Sequence, residues 1–381
     1  MSVPEYGVGI LGFGFMGRTH TYGLVNLPLF YAPLPFRVKH ISVCTPVPAE
    51  QAVASSMGYY RKIVDDYREL IDDPEIDVIA VSSPNRFHKE QLLRAIDAGK
   101  HIYCDKPVAA SLDDAREVMD AMGRTNYKGK SQVVLQYRCF PATLRAKQLV
   151  DEGFLGRVFH YRGGYIHSSN INPEKPLNWK SDKTQGGGGS LFDMGAHTLD
   201  MMTHLLGDIV EINVLCETFI KERPHKETGE RVPVDTDDVA LMMVRHASGA
   251  IGLLDATKLA TGICDELRFE IHGEQGAIRF NLMDPNWLDV YDVRDPAAPM
   301  GGMRGFKRIE CVQKYPKPGG GFPNPKFSVG WIRSHMHCMY SFLECIALDK
   351  DPAPTLEEGI QLQRVMAAGY RSAETGRWVR P

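Results

Sequence analysis

The chain of 381 residues has no closely paired cysteines, no long hydrophobic run and no excess of basic charge. Its eight cysteines, at positions 44, 104, 139, 216, 264, 311, 338 and 345, are scattered without a CxxC spacing. Several sit in apolar runs such as ISVCT and HIYCD, where a reduced thiol packs as a small hydrophobe, so a reducing, cytoplasmic setting is expected. No stretch approaches the roughly eighteen apolar residues of a membrane span. The start, MSVPEYGVGILGFGFMG, lacks a cationic segment before an unbroken apolar one, so no signal peptide is expected. A formal net charge of −3, with no basic run interleaved with aromatics, argues against a nucleic-acid partner. What is present, 43% hydrophobic and 24% charged residues, suits a globular protein, and the length suits two domains.

The first part of the chain alternates short β-branched runs with helical patterns. YGVGILG, FRVKHISVC, IDVIAVSS, KHIYC and SQVVLQY read as strands, and residues 16–26, 48–56, 65–72, 86–98 and 111–123 as helices. Such alternation predicts a parallel sheet covered by helices, an α/β Rossmann-type domain over residues 1–138. Beyond it, residues 139–152 and 190–205 read as helices. Two hairpins follow, DVALMMVRHASGAIGLLDATK turning at Ser248-Gly249 and ELRFEIHGEQGAIRFNL turning around GEQG. This predicts an α+β domain over residues 139–381, built on an open, mainly antiparallel sheet with helices on one face. Its apolar strands, VALMMV and IGLLDA, exceed what one helical layer covers, so a homodimer or homotetramer is expected. Helices are expected at 332–348 and 356–375. Residues 295–330, rich in Pro and Gly but carrying Met303, Phe306, Tyr315, Phe322 and Phe327, read as a long irregular loop over a substrate site or a subunit interface.

GFGFMG, residues 12–17, fits G-x-G-x-x-G directly after a strand and at the start of a helix. Gly12 permits the tight turn, Gly14 lets backbone approach a pyrophosphate, and Gly17 allows close helix–strand packing. The helix N-terminus offers N–H groups and a positive dipole end to the phosphates. The acidic residue that holds the adenosine ribose at the end of the second strand is missing, since ISVCTPVP places Thr45 there. No Arg or Lys follows to neutralise a 2′-phosphate. NAD is therefore the expected cofactor, with NADP left open because Arg18 could supply that charge. SSPNRFH puts Ser83, Pro84, Asn85 and His88 at a strand's carboxyl end, where open α/β sheets bind ligands; the alternative is a loop and N-cap before RFHKEQLLRAI. YCDKPVA places Asp105 and Lys106 at the same edge. Lys106 there can donate to a substrate hydroxyl, or stand as a solvent-facing loop residue.

GGGGSLFDMGAHTLD, residues 186–200, sets four glycines before a helical pattern with Asp193 and His197 four residues apart, hence on one face. A carboxylate beside an imidazole fixes its tautomer and raises its basicity. The glycines would let a helix start close to a ligand. Asp200 and His204 extend the stripe, but four ligands on one straight helix cannot converge on one ion, so no metal is expected and Asp200 reads as structural. HMHC, residues 335–338, lacks a further ligand cluster and reads as surface or core.

Together GFGFMG, SPNRFH, DKPVA and GGGGSLFDMGAHTLD resemble the Gfo/Idh/MocA oxidoreductase family, over essentially the whole chain to EEGIQLQRVMAAGYRSAETGRWV. The family reads EKP where this chain has DKP. The resemblance implies a Rossmann domain followed by an α+β domain whose open sheet mediates oligomers. It also implies a nicotinamide-dependent transfer of hydride from a sugar, inositol or related polyol hydroxyl. By the same resemblance Lys106, Asp193 and His197 are the catalytic residues. Phe13, Phe15 and Met16 join the glycines, Thr45, Ser83, Pro84, Asn85, His88, Asp105 and Lys106 at the cofactor, and Tyr137, Arg138 and Trp179 join Lys106, Asp193 and His197 at the substrate. Two alternatives share this fold: a redox-neutral glycosidase or lyase that oxidises its sugar transiently, and a non-catalytic NAD(P)-binding regulator.

Overall fold

A computed structural model describes residues 3–381. The chain forms two compact units. The first begins with β1 (Glu5–Leu11), α1 (Phe15–Phe30), β2 (Arg37–Cys44), α2 (Pro48–Met57), β3 (Tyr60–Val64) and α3 (Tyr67–Ile71). It continues through β4 (Val78–Val81), α4 (His88–Asp97), β5 (His101–Asp105), α5 (Leu112–Arg124) and β6 (Ser131–Val134). All its strand pairs are parallel, in the order β3-β2-β1-β4-β5-β6. That is the doubly wound dinucleotide-binding order, with the reversal of direction between β1 and β4 marking the ligand crevice. Strand β4, VIAV, is buried throughout, which explains its unbroken apolar reading. Strand β3 escapes a pattern reading because YRKIV is a partly exposed edge carrying two charges.

The second unit contains α6 (Pro141–Asp151), β7 (Val158–His167), α7 (Lys183–Gly186), α8 (Ser190–Asp193) and α9 (Gly195–Leu206). These are followed by β8 (Ile209–Glu217), the small ribbon β9 (Glu222–Pro224) with β10 (Arg231–Pro233), β11 (Val239–His246) and β12 (Ile251–Thr257). Strands β13 (Asp265–Gly273), β14 (Gly276–Asn281), β15 (Trp287–Asp292) and β16 (Lys307–Glu310) complete it. Eight strands form one sheet, β16-β15-β14-β13-β7-β12-β11-β8. Both expected hairpins, β11–β12 and β13–β14, are present. Every neighbouring pair is antiparallel except β7–β12, which runs parallel with Ile166 beside Thr257, so both strands end at one rim. The sheet is mixed at its centre. Helices α6, α8 and α9 contact it. Along β11 burial alternates, with Ala240, Met242 and Val244 inward and Leu241 and Met243 exposed.

The chain then forms α10 (Trp331–Ala347) and α11 (Leu356–Thr375). Residues 315–325 and 331–363 group with the first unit, and the remainder of α11 with the second, so the compact units differ from a single division at residue 138. The reason is packing: α10 buries an almost continuous set of side chains and lies along α1. A linear reading cannot show such a return. The stretch 295–330 is not irregular throughout, since β16 lies within it, and its aromatics divide. Tyr315 is buried against Arg333 and His337, Phe306 lies under the Arg279 guanidinium, and Met303, Phe322 and Phe327 are exposed. Among the described residues no helix is long and apolar enough to cross a membrane.

Gly188 and Gly189, the last two of the four glycines before α8, serve the protein's own packing. A Cβ on Gly189 would lie 2.1 Å from the Asp237 carbonyl oxygen, and one on Gly188 would lie 2.3 Å from the Tyr370 hydroxyl. Asp237 caps α8 in return: its carboxylate accepts from Gly189 N at 3.1 Å and Leu191 N at 2.8 Å. At these two positions packing against Asp237 and Tyr370, and not space for a ligand, requires glycine. Gly189→Ala should lower stability by about 2–4 kcal/mol, because the obstruction is backbone and the cap must move. Urea denaturation checks this, and an unchanged midpoint would contradict it.

Candidate active site

The glycine loop joins β1 to α1. Gly12 has φ +88, donates its N–H to the Cys44 carbonyl at 2.8 Å, and has Ser82 and Ser83 backbone within 2.9 Å of where a Cβ would stand. Gly17 is equally closed, its Cβ position lying 2.1 Å from Gly12 O. Gly14 differs: a Cβ there would meet only one atom, Glu50 Oε1 at 3.8 Å. The turn and the packing thus use Gly12 and Gly17, and Gly14 is the open point at which a phosphate can approach. No side chain caps the N-terminus of α1. Its first N–H groups are therefore available to an anion. These residues fit a dinucleotide. Phe13 is a correction: its ring is buried and packs edge-on against Tyr60, so only its backbone can face a cofactor. Phe15 is exposed beside Trp331, and Met16 is half-buried.

A carboxylate does stand near the end of β2, although not on the strand itself. Thr45 is buried and donates its hydroxyl to Glu50 Oε2 at 2.6 Å. Glu50 lies in the first turn of α2, and its other carboxylate oxygen is the atom facing Gly14. Thr45 therefore fixes a carboxylate beside the glycine loop, at the end of β2. The sequence signal was present as Glu50 five residues on, but its direction depends on how β2 turns into α2.

Two further cofactor expectations are corrected. His88 is wholly buried, with Nε2 2.8 Å from the Ser83 carbonyl and Nδ1 2.9 Å from the Pro107 carbonyl. Burial lowers its pKa, and a neutral imidazole donates to one of these oxygens at a time. It clamps the loop after β4 to the loop after β5 and does not line the crevice. Asp105 likewise turns inward, accepting from His20 Nε2 at 2.9 Å. Asn85 is buried at the carboxyl end of β4 beside Pro84, Ser83 donates to Gln91 Oε1 at 2.7 Å, and Lys106 is half-buried just beyond β5.

In the second unit α8 and α9 are separated at Met194, so Asp193 and His197 do not share one regular helix. His197 N bonds to Met194 O, a three-residue step that tightens the backbone between them. Asp193 lies between two lysines, Lys258 Nζ at 2.9 Å from Oδ2 and Lys180 Nζ at 3.2 Å from Oδ1. Lys258 is buried and projects from the end of β12; Lys180 follows Trp179, which is half-buried with the Lys180 ammonium 5.6 Å from its ring. His167, at the neighbouring end of β7, has its pKa lowered to about 4, first by burial and then by Lys258, against the pull of Asp193. It is neutral at neutral pH.

The His197 ring sits edge-on to Tyr137 at 4.8 Å and to Tyr165 at 5.5 Å. The two tyrosine hydroxyls are 2.6 Å apart, and Tyr165 donates to Asp265 Oδ1 at 2.7 Å. Tyr165, His167, Lys258 and Asp265 surround the candidate residues His197 and Asp193 and were not singled out from the sequence; strand-end placement was the only available signal. Arg138 is a correction, since its guanidinium is held by Asp200, both atoms of the pair being nearly buried. This leaves Asp200 structural, as expected, and turns Arg138 from a substrate group into its partner. His204, half-buried, has its pKa lowered to about 3, first by desolvation and then by the Arg138 charge. Among the described residues no three His, Cys, Asp or Glu side chains are grouped to hold a metal.

A parallel sheet in this strand order, an uncapped glycine-loop helix and a buried imidazole in a second unit define a nicotinamide-dinucleotide oxidoreductase. Residues 6–128 match the oxidoreductase family NAD-binding Rossmann fold, and residues 147–380 match the oxidoreductase family C-terminal alpha/beta domain. The chain belongs to the Gfo/Idh/MocA oxidoreductase family, and its cofactor is NAD. It is 32% identical to a levoglucosan dehydrogenase of Pseudarthrobacter phenanthrenivorans, over 98% of this chain and 97% of that one. It is 26% identical to a myo-inositol 2-dehydrogenase of Thermotoga maritima, over 71% of this chain and 74% of that one. A solved structure of levoglucosan dehydrogenase in complex with NADH and levoglucosan, 32% identical, superposes with a TM-score of 0.92 over 99% of each chain.

Proposed function

We propose that this protein oxidises a secondary hydroxyl of a sugar, inositol or related polyol to a ketone, with NAD as acceptor. The observation that carries the reading is the buried His197, caged by Tyr137 and Tyr165 and flanked by the Asp193 ion pairs. When bound, the nicotinamide supplies the acceptor for the hydride leaving the carbinol carbon. His197 takes the hydroxyl proton, so O–H and C–H break as C=O forms. Lys106 donates to the same oxygen and favours the developing alkoxide. Asp193 cannot act as a free base while two ammonium groups hold its oxygens; its part is to position Lys258 and Lys180 toward substrate oxygens. Glu50 holds the ribose hydroxyls of NAD. The levoglucosan and inositol dehydrogenases among its relatives support this substrate class.

The test is a screen of anhydrosugars, pyranoses and inositols with NAD and NADP, followed at the absorbance of the reduced nicotinamide. Net reduction supports the dehydrogenase. Product without net reduction identifies the redox-neutral lyase, and tight NAD binding with no turnover of any substrate identifies the regulator.

We further propose a homo-oligomer assembled through the open sheet face, and a reducing cytoplasm as its setting. Leu215, Leu241, Met243, Ile251 and Leu253 all stand exposed on β8, β11 and β12, Leu215 at 63%. None of the eight cysteines is in a disulfide. Placing Glu at both 241 and 243 puts two carboxylates on that face. The variant should run as a monomer in light scattering at micromolar concentration where the parent does not. A monomeric parent, or an unchanged variant, removes the proposal.

A further inference from the structure

The pair HMHC and the helix after the glycine loop hold a group of buried polar atoms that the proposed chemistry does not use. His20 on α1, Asp105 at the end of β5 and His335 on α10 all belong to the first unit. His20 is 1% exposed and His335 3%. His20 Nε2 bonds to Asp105 Oδ1 at 2.9 Å, which fixes the proton on Nε2 and leaves Nδ1 as an acceptor. His20 Nδ1, Asp105 Oδ2 and both ring nitrogens of His335 meet no donor or acceptor among the described protein groups. Four unmatched polar atoms in one buried place are rare in a native core, and the common resolution is an ordered internal water.

The spacing fits that resolution. The His20 and His335 ring centroids are 6.4 Å apart. That separation leaves room between the rings for one water making two ordinary hydrogen bonds. The polarity fits as well. Burial pushes the His335 pKa well below its usual value, with His20 adding to the effect. A neutral His335 offers one N–H, which a water accepts while donating to His20 Nδ1. The other groups facing the place are Tyr103, edge-on to His20 at 5.2 Å, and Trp331, against His335 at 4.1 Å. Asp105 also feels His88 from α4.

We propose that His20, Asp105 and His335 hold one internal water and form with it a buried relay that orients the strand end from which Lys106 departs. His20 and His335 are positioning residues. The relay runs His335–water–His20–Asp105, and Asp105 is the residue before Lys106. The proposal rests on the reading of Lys106 as the lysine that binds the reacting hydroxyl.

Two measurements on the NAD-bound enzyme decide it. A crystal structure fine enough to place waters should show one within about 3 Å of both His20 Nδ1 and a His335 nitrogen, absent in His335→Leu. The pH profile of kcat should change in His335→Leu, with a drop of about tenfold at the optimum and an acid limb moved by about half a unit or more, while NAD affinity holds. His335→Asn, which restores a donor and an acceptor, should recover most of the loss. It also serves if the leucine variant fails to fold. A dry junction in the parent enzyme overturns the proposal, and so does a His335→Leu profile that superimposes on the parent's. If no sugar or polyol is turned over at all, the function reading fails, and the water is still decided by the crystal structure alone.

Discussion

Replacing His197 with Asn is expected to lower kcat by about 10²- to 10⁴-fold, the usual contribution of a positioned proton acceptor. NAD affinity should stay within about twofold, because the residue acts in the chemical step and lies outside the glycine-loop unit. Asn keeps a polar side chain of similar reach between the Tyr137 and Tyr165 rings, so a collapse of the cage is not the cause of the loss. The control is Tyr165→Phe, which removes the hydroxyl bonded to Asp265 and leaves the ring in place. It should cost far less, about tenfold, through looser orientation of His197. Stopped-flow measurement of the first turnover separates chemistry from product release. A first turnover in the Asn variant as fast as in the parent would assign the proton to another group.

Cofactor preference should respond as strongly to one carboxylate. Glu50→Gln is expected to weaken NAD by about 10-fold, since a charge-assisted hydrogen bond to a ribose hydroxyl becomes a neutral one. The same change should tighten NADP by about 10-fold, because a 2′-phosphate no longer meets a negative charge. The ratio of the two dissociation constants then moves by about 10²-fold. Thr45→Val gives an independent check: it removes the hydroxyl that holds Glu50 Oε2 at 2.6 Å and leaves the charge in place. It should weaken NAD modestly without improving NADP. Fluorescence titration of both cofactors reads all of these. A Glu50→Gln enzyme with an unchanged NAD/NADP ratio would falsify the assignment.

The parallel half of the fold was legible because its strands are apolar on both faces and its glycines stand at fixed offsets. Strand β3 was lost because an edge strand can carry Arg61 and Lys62 where a central one cannot. The hairpins β11–β12 and β13–β14 announced themselves through SG and GEQG turns, whereas β7, with two glycines and no hairpin partner, did not. At the site, the residue types in DKPVA and SLFDMGAHTLD were informative and their partners were not. Asp193 reads as a carboxylate free to meet a substrate, and only the fold brings Lys258 to it from a strand 65 positions onward. His88 and Asp105 sit at the right strand ends but point into the unit, a matter of side-chain direction that spacing does not carry. Glu50 was visible as a residue, and its place beside the glycine loop was not, because its reach depends on the turn between β2 and α2.

The parallel pairing of β7 with β12 has a consequence for how this enzyme can change. In a sheet of hairpins each rim receives strand starts and strand ends alternately, and a loop inserted at one place pulls on the turn beside it. Here two strands leave the same ledge side by side, carrying His167 and Lys258, and neither of the following segments, 168–182 and 258–264, is a tight turn between sheet neighbours. Either segment can lengthen or change composition without shifting the register of the ladder behind it, because loop length alone costs little. The ledge therefore separates two kinds of heritable change. Substitutions in the two segments change what surrounds His167 and Lys258, and the proposed assembly face, carried by Leu241 and Met243 on β11, is left untouched by them.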